Sequence, residues 1–168
     1  MKEILDQVEI RLVCWHELQE LALLNFEKFA LKDDLNVFFK NQIQKRWIKN
    51  FSSGMEVLAL IHRGRFSGFI SYFHTSKKNS HQKQVSEIVG IYVIPLLRCK
   101  GLGRRLYEVF LQEVKLIQNK QIIVLLEDMH PILMKFYEAV GFKVRAEDKT
   151  DQSFGCYLEL EIEENLPS

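Results

Sequence analysis

The sequence predicts a mixed α/β fold, with helices on both faces of a mixed sheet. Three observations point to it. Segments of helical apolar spacing are interleaved with strand-like runs. Two apolar runs, residues 55–62 (MEVLALIH) and 66–74 (FSGFISYFH), flank Arg63-Gly64-Arg65 and read as a hairpin, which excludes an all-parallel sheet. The stretch 121–126 (QIIVLL) is continuously apolar, as a strand buried on both faces must be.

Taken in order, residues 8–13 (VEIRLV) alternate apolar and charged side chains and read as a first strand. Leu18, Leu21, Phe26 and Phe29 then recur at helical spacing over residues 15–31. Asp33 or Asp34 caps a second helix carrying Leu35, Phe38, Phe39, Ile43, Trp47 and Ile48. The hairpin follows, and Gly68 within it marks a bulge or a close neighbour. A polar loop, residues 75–84, leads to a strand over residues 85–94, ended by Pro95. Leu102, Leu106, Val109, Phe110, Val114 and Ile117 line one face of the next helix. After the 121–126 strand, His130-Pro131 opens a helix that Gly141 ends. Residues 142–146 and 153–162 are the last two strands. The order is β-α-α-β-β-β-α-β-α-β-β, read as a single domain over residues 1–168.

The 168 residues suffice for a real core, and 47% apolar with 27% charged is the composition of a soluble globular protein. No apolar run approaches the ~20 residues of a membrane helix, and the N-terminus lacks a signal-peptide core, so neither a membrane nor export is expected. Cys14, Cys99 and Cys156 form no C-x-x-C pair and no disulfide framework, which suits a reducing cytoplasm. A net charge of +1 gives no global field for nucleic acid. The histidines show no ligand spacing, so no metal is expected.

The stretch 86–106 (SEIVGIYVIPLLRCKGLGRRL) concentrates the chemistry. A strand feeds a basic turn with two glycines and then a helix start. Such a helix end offers amides and a partial positive charge to an anion, and glycines admit it closely. A dinucleotide fingerprint fits poorly, because Leu106 stands where its third glycine belongs.

Arg98-Cys99-Lys100-Gly101-Leu102-Gly103 fits the [QR]-x-x-G-x-[GA] signature, and Phe136-Tyr137-Glu138-Ala139-Val140-Gly141-Phe142 resembles a Y-x-x-x-G-F segment. With the element order, these make the chain similar to the GNAT superfamily of acetyl-CoA-dependent N-acetyltransferases over nearly its whole length. The resemblance implies acetyl-CoA as co-substrate. Its pyrophosphate would lie on the amides from Cys99 to Arg104, with Arg98, Lys100, Arg104 and Arg105 nearby. Its pantetheine arm would run along Ile91, Tyr92 and Val93, with Gly90 as a bulge point that frees an amide for the thioester oxygen. His130 stands where many members place a cofactor-contacting asparagine.

The resemblance also gives two proton-transfer candidates. Tyr137 matches the tyrosine that protonates the departing thiolate. Free tyrosine near 10 against a thiol near 8.5 makes that transfer uphill by roughly 2 kcal/mol. Glu87, fourteen residues before Gly101, resembles a strand-borne general base. The expected reaction is acetyl transfer to a primary amine by direct attack in a ternary complex. A non-catalytic acyl-CoA sensor or scaffold is the alternative. Glu147, Asp148 and Asp151 in the loop before the last strand give a mild preference for a cationic acceptor, and the chain is read as a monomer or homodimer.

Overall fold

The computed structural model describes residues 7–14, 16–17, 53–75, 84–126, 131–145 and 156–162. Apart from a helical start at residues 16–17, the helices expected over residues 15–48 lie outside these, as do His130 and the acidic loop 147–152. The described elements are β1 (Val8–Leu12), β2 (Glu56–His62), β3 (Arg65–Thr75), β4 (Val85–Val93), a 3-10 turn (Pro95–Leu97), α1 (Leu102–Leu116), β5 (Gln121–Leu126), α2 (Pro131–Ala139), β6 (Lys143–Val144) and β7 (Cys156–Glu161). The strands form one sheet of order β1-β2-β3-β4-β5-β7-β6. β4 and β5 pair in parallel, whereas β1–β2, β2–β3, β5–β7 and β6–β7 are antiparallel. The mixed sheet and the order of the described elements are those expected. β6 is shorter than the 142–146 run suggested, since only Lys143 and Val144 pair with β7.

The chain falls into two compact units. The first holds residues 1–72 and 90–110. Its hairpin turns on Arg63 (φ 53°) and Gly64 (φ 69°). Both are left-handed, as a two-residue turn matching strand twist requires. Leu58, Leu60, Ile70 and Tyr72 are buried, and so are Leu102, Leu106 and Phe110 at every fourth position of α1. Phe110 meets Tyr72 with ring centroids 4.7 Å apart.

The second unit holds residues 73–89 and 111–168. Its apolar core includes Ile88, Val114, Ile122, Val124, Tyr137, Phe142 and Leu158. A polar knot is buried with it. Asn119 Nδ2 donates to Ser86 Oγ at 2.7 Å, and Ser86 Oγ lies 2.9 Å from His74 Nδ1. Which of Ser86 Oγ and His74 Nδ1 donates depends on the imidazole tautomer. The backbone continues the connection, with Lys120 N–H donating to Gln84 O at 3.2 Å.

Both helices close in the same way. On α2, Phe142 N–H donates to Tyr137 O and Gly141 N–H to Glu138 O, with Gly141 left-handed at φ 100°. On α1, Asn119 N–H donates to Val114 O and Gln118 N–H to Lys115 O, but the left-handed residue is Gln118 at φ 60°. An L side chain there costs roughly 1–2 kcal/mol.

These neighbours move stability in opposite directions. Gln118→Gly raises it by about 1 kcal/mol, or ~2–4 °C in Tm for a chain of this size. Asn119→Ala strands the Ser86–His74 pair and lowers it by ~1–3 kcal/mol. Thermal melts of both variants check the signs.

Candidate active site

In the first unit, the turn between β4 and α1 has the backbone shape its glycines imply. Pro95 starts the 3-10 turn, Arg98 leaves it extended, and Cys99 (φ 58°) and Gly101 (φ 77°) reverse the chain into α1. Nothing lies within 4 Å of a side chain built at Gly101, so the residue serves its conformation there, not packing. The first rung of α1 is Arg105 N–H to Gly101 O at 3.0 Å. The amides at 102–104 precede that rung and open toward the turn. No acidic residue occupies the first helical turn, which carries Arg104 and Arg105. A helix stabilised for itself places acids there. Two arginines at the positive end make sense when an anion is to be held.

The turn is tied back to the strand that feeds it. Arg98 Nε donates to Val93 O at 2.8 Å, and its guanidinium lies 5.5 Å from the centroid of the Tyr92 ring. Lys100 Nζ donates to Leu96 O at 2.9 Å, closing the turn on itself.

The end of β4 is held equally firmly by β3. Ile94 N–H donates to Ser67 O at 2.9 Å, and Ser71 Oγ reaches Gly90 O at 3.5 Å. Strand alternation therefore turns the backbone groups of Gly90, Tyr92 and Ile94 toward β3. Those of Ile91 and Val93 face the opposite edge. Gly68 shows both features expected of it. Leu60 pairs with Gly68 but Ile61 with Phe66, so Ser67 is bulged out of the ladder, and the β3 backbone presses against Tyr92.

The second unit places the two proton-transfer candidates. Glu87 is half-buried on β4 and pairs with Ile123, which pairs with Glu159, which pairs with Lys143. The four side chains form one row on one sheet face. Glu159 also accepts from Gln121 Nε2 at 3.0 Å and lies 3.8 Å from Arg145 Nε. Tyr137 is 1% exposed, its ring edge-on to Phe136 at 5.3 Å and to Phe142 at 5.2 Å. Among the described residues no three His, Cys, Asp or Glu side chains group as metal ligands.

His62, at the end of β2, is not signalled by the sequence pattern. Its Nε2 is buried with no hydrogen-bond partner among the described residues. Burial, then the charges of Arg63 and Lys100, hold its pKa below the usual value. Only the convergence of a strand end, a hairpin turn and the glycine turn reveals this position.

Acidification therefore acts through His62. The folded state favours the neutral ring, so this contribution is complete above the ordinary value of ~6.5 and is lost as pH falls toward the depressed folded pKa. Melts between pH 7.5 and 5 check this: His62→Gln should lose less stability over that window than the parent chain.

The Acetyltransferase (GNAT) family matches residues 15–142. Among solved structures, an acetyltransferase of the GNAT family from Staphylococcus aureus Mu50 superposes with TM-score 0.64 at 16% identity, covering 93% of this chain and 99% of its own. The PaiA N-acetyltransferase from Thermoplasma acidophilum, in complex with coenzyme A, gives 0.65 at 17% identity over 92% and 99%. An acetyltransferase from Streptococcus agalactiae 2603 gives 0.62 at 18% over 93% and 99%. No curated protein sequence matches.

Proposed function

Because the chain belongs to the GNAT acetyltransferase family, we propose that it transfers an acetyl group from acetyl-CoA to a primary amine by direct attack in a ternary complex. The observation that carries this reading is the turn between β4 and α1. Its helix opens on amides and two arginines with no acid in the first turn. The coenzyme A bound by the Thermoplasma neighbour is consistent with that ligand.

In this reading the pyrophosphate lies on the amides of residues 99–104, and Arg98, Lys100 and Arg104 offset its charge. Ile91 and Val93, whose backbone groups face away from β3, carry the pantetheine arm, while Tyr92 fixes the strand through its ring. The amine nitrogen attacks the thioester carbonyl carbon, and an amide near Gly90 and Ile91 holds the oxyanion. The C–S bond then breaks. Tyr137 gives its proton to the coenzyme A thiolate, and the proton lost by the amine goes to Glu87, directly or through water. The acidic residues Glu147, Asp148 and Asp151 in the loop before the last strand favour a cationic acceptor. His130 is assigned a contact to the cofactor by its place in the motif. The reading implies no metal and a cytoplasmic setting.

Coenzyme A release, followed with a thiol reagent over a panel of amines, tests the activity. Turnover above solvent hydrolysis with at least one amine is expected, and none with any amine would count against it. Tyr137→Phe should lower kcat by about 10²-fold or less while sparing acetyl-CoA binding. Glu87→Gln should lower the rate most at the acid end of the pH profile, where an unassisted amine is protonated. An unchanged profile would remove Glu87 as the base.

A further inference from the structure

We infer that Gly68 is a positioning residue for the pantetheine arm of an acyl-CoA. This deepens the acetyltransferase reading and rests on it. Three consecutive residues of β3 grip three consecutive residues of the chain leaving β4. Ser67, the bulged residue, gives its carbonyl to Ile94 N–H at 2.9 Å, and its own hydroxyl is turned back onto Arg65 O at 3.0 Å. Phe69 stacks on Tyr92 with centroids 5.9 Å apart. Between them, Gly68 lies so close to β4 that an added Cβ would stand 2.5 Å from Tyr92 O and 3.3 Å from Val93 Cα. Both neighbours are backbone atoms of a paired strand, so relief requires the strand itself to move. Gly68 has no left-handed φ to explain its presence. Its role is the close approach.

What that approach sets is the far edge of β4. Alternation makes the backbone groups of Ile91 and Val93 the ones that point away from β3. Their position follows from how near Tyr92 and Ile94 lie to β3. The Arg98 side chain closes off this stretch, with its Nε anchored on Val93 O and its guanidinium resting on the Tyr92 ring. The amides at 102–104 lie past this anchor, on a helix held by its own buried Leu102 and Leu106. Displacing β4 by the several tenths of an ångström that a methyl at Gly68 demands shifts the pantetheine track first.

The test is Gly68→Ala, titrated calorimetrically with coenzyme A and with adenosine 3′,5′-bisphosphate, which keeps phosphates but lacks the arm. Affinity for coenzyme A should fall by about tenfold, while affinity for the bisphosphate stays within twofold. A loss of fold stability alone would not separate the two ligands. Equal falls for both, or no fall for coenzyme A, would overturn the inference. If Gly68→Ala does not fold, Phe69→Leu loosens the same strand through the Tyr92 ring and is expected to show the same selectivity at about threefold. A parent chain that binds neither ligand overturns instead the acyl-CoA reading beneath it, so the two failures are distinguishable.

Discussion

Between β3 and β4 there is one place where backbone meets backbone with no room for a side chain, at Gly68 against the carbonyl of Tyr92. Much of the first unit's chemistry hangs on it. The bulge at Ser67 supplies the carbonyl that holds Ile94 to β3, and the stacked Phe69 holds the Tyr92 ring on which Arg98 rests. From there the chain enters a 3-10 turn and a left-handed reversal that delivers it to α1. The close contact thus fixes the exit of β4, while α1, which follows the turn, is held separately by its own buried Leu102 and Leu106.

That turn is arranged against the interests of an isolated helix. The N-terminal turn of α1 repels the arginines it carries, and Cys99 occupies a conformation that suits glycine better. These costs are individually small and fall within a few residues of one another. A helix shaped only for stability has inexpensive remedies for each, and their clustering is what the proposed phosphate contact would offset. Arg98 and Lys100 illustrate a division of labour within one motif. Their side chains donate to Val93 and Leu96, so part of the positive charge near the turn also holds the turn's shape.

Much of this was legible in the residues. Run length identifies β5 from QIIVLL to the residue, although the strand is fully buried on one face only, Ile123 and Leu125 being half-buried on the other. Arg63-Gly64 and Gly141 announce themselves because left-handed backbone needs glycine or an equivalent. The glycine turn and the element order were readable for the same reason. Other features are tertiary and leave no local trace. The Ser86–Asn119 bond joins residues far apart in sequence, and each is an ordinary polar residue in its own segment. Gln118 fills a position where the pattern would call for glycine, so the end of α1 is unmarked. The fold-back of Arg98 onto Val93 depends on side-chain torsions, which no local pattern records.

The amides that open α1 have one more consequence. Residues 102–104 are the proposed phosphate contacts, and they also form the end of the helix with the weakest electrostatic support. Their amides precede the first helical rung, although the buried Leu102 and Leu106 pin the turn that carries them. A bound anion would answer both the amides and the arginines at once. Occupancy of the site is therefore written into solvent exchange at the start of one helix, and amide protection at Leu102 and Gly103 becomes a direct gauge of ligand that needs no acceptor and no turnover.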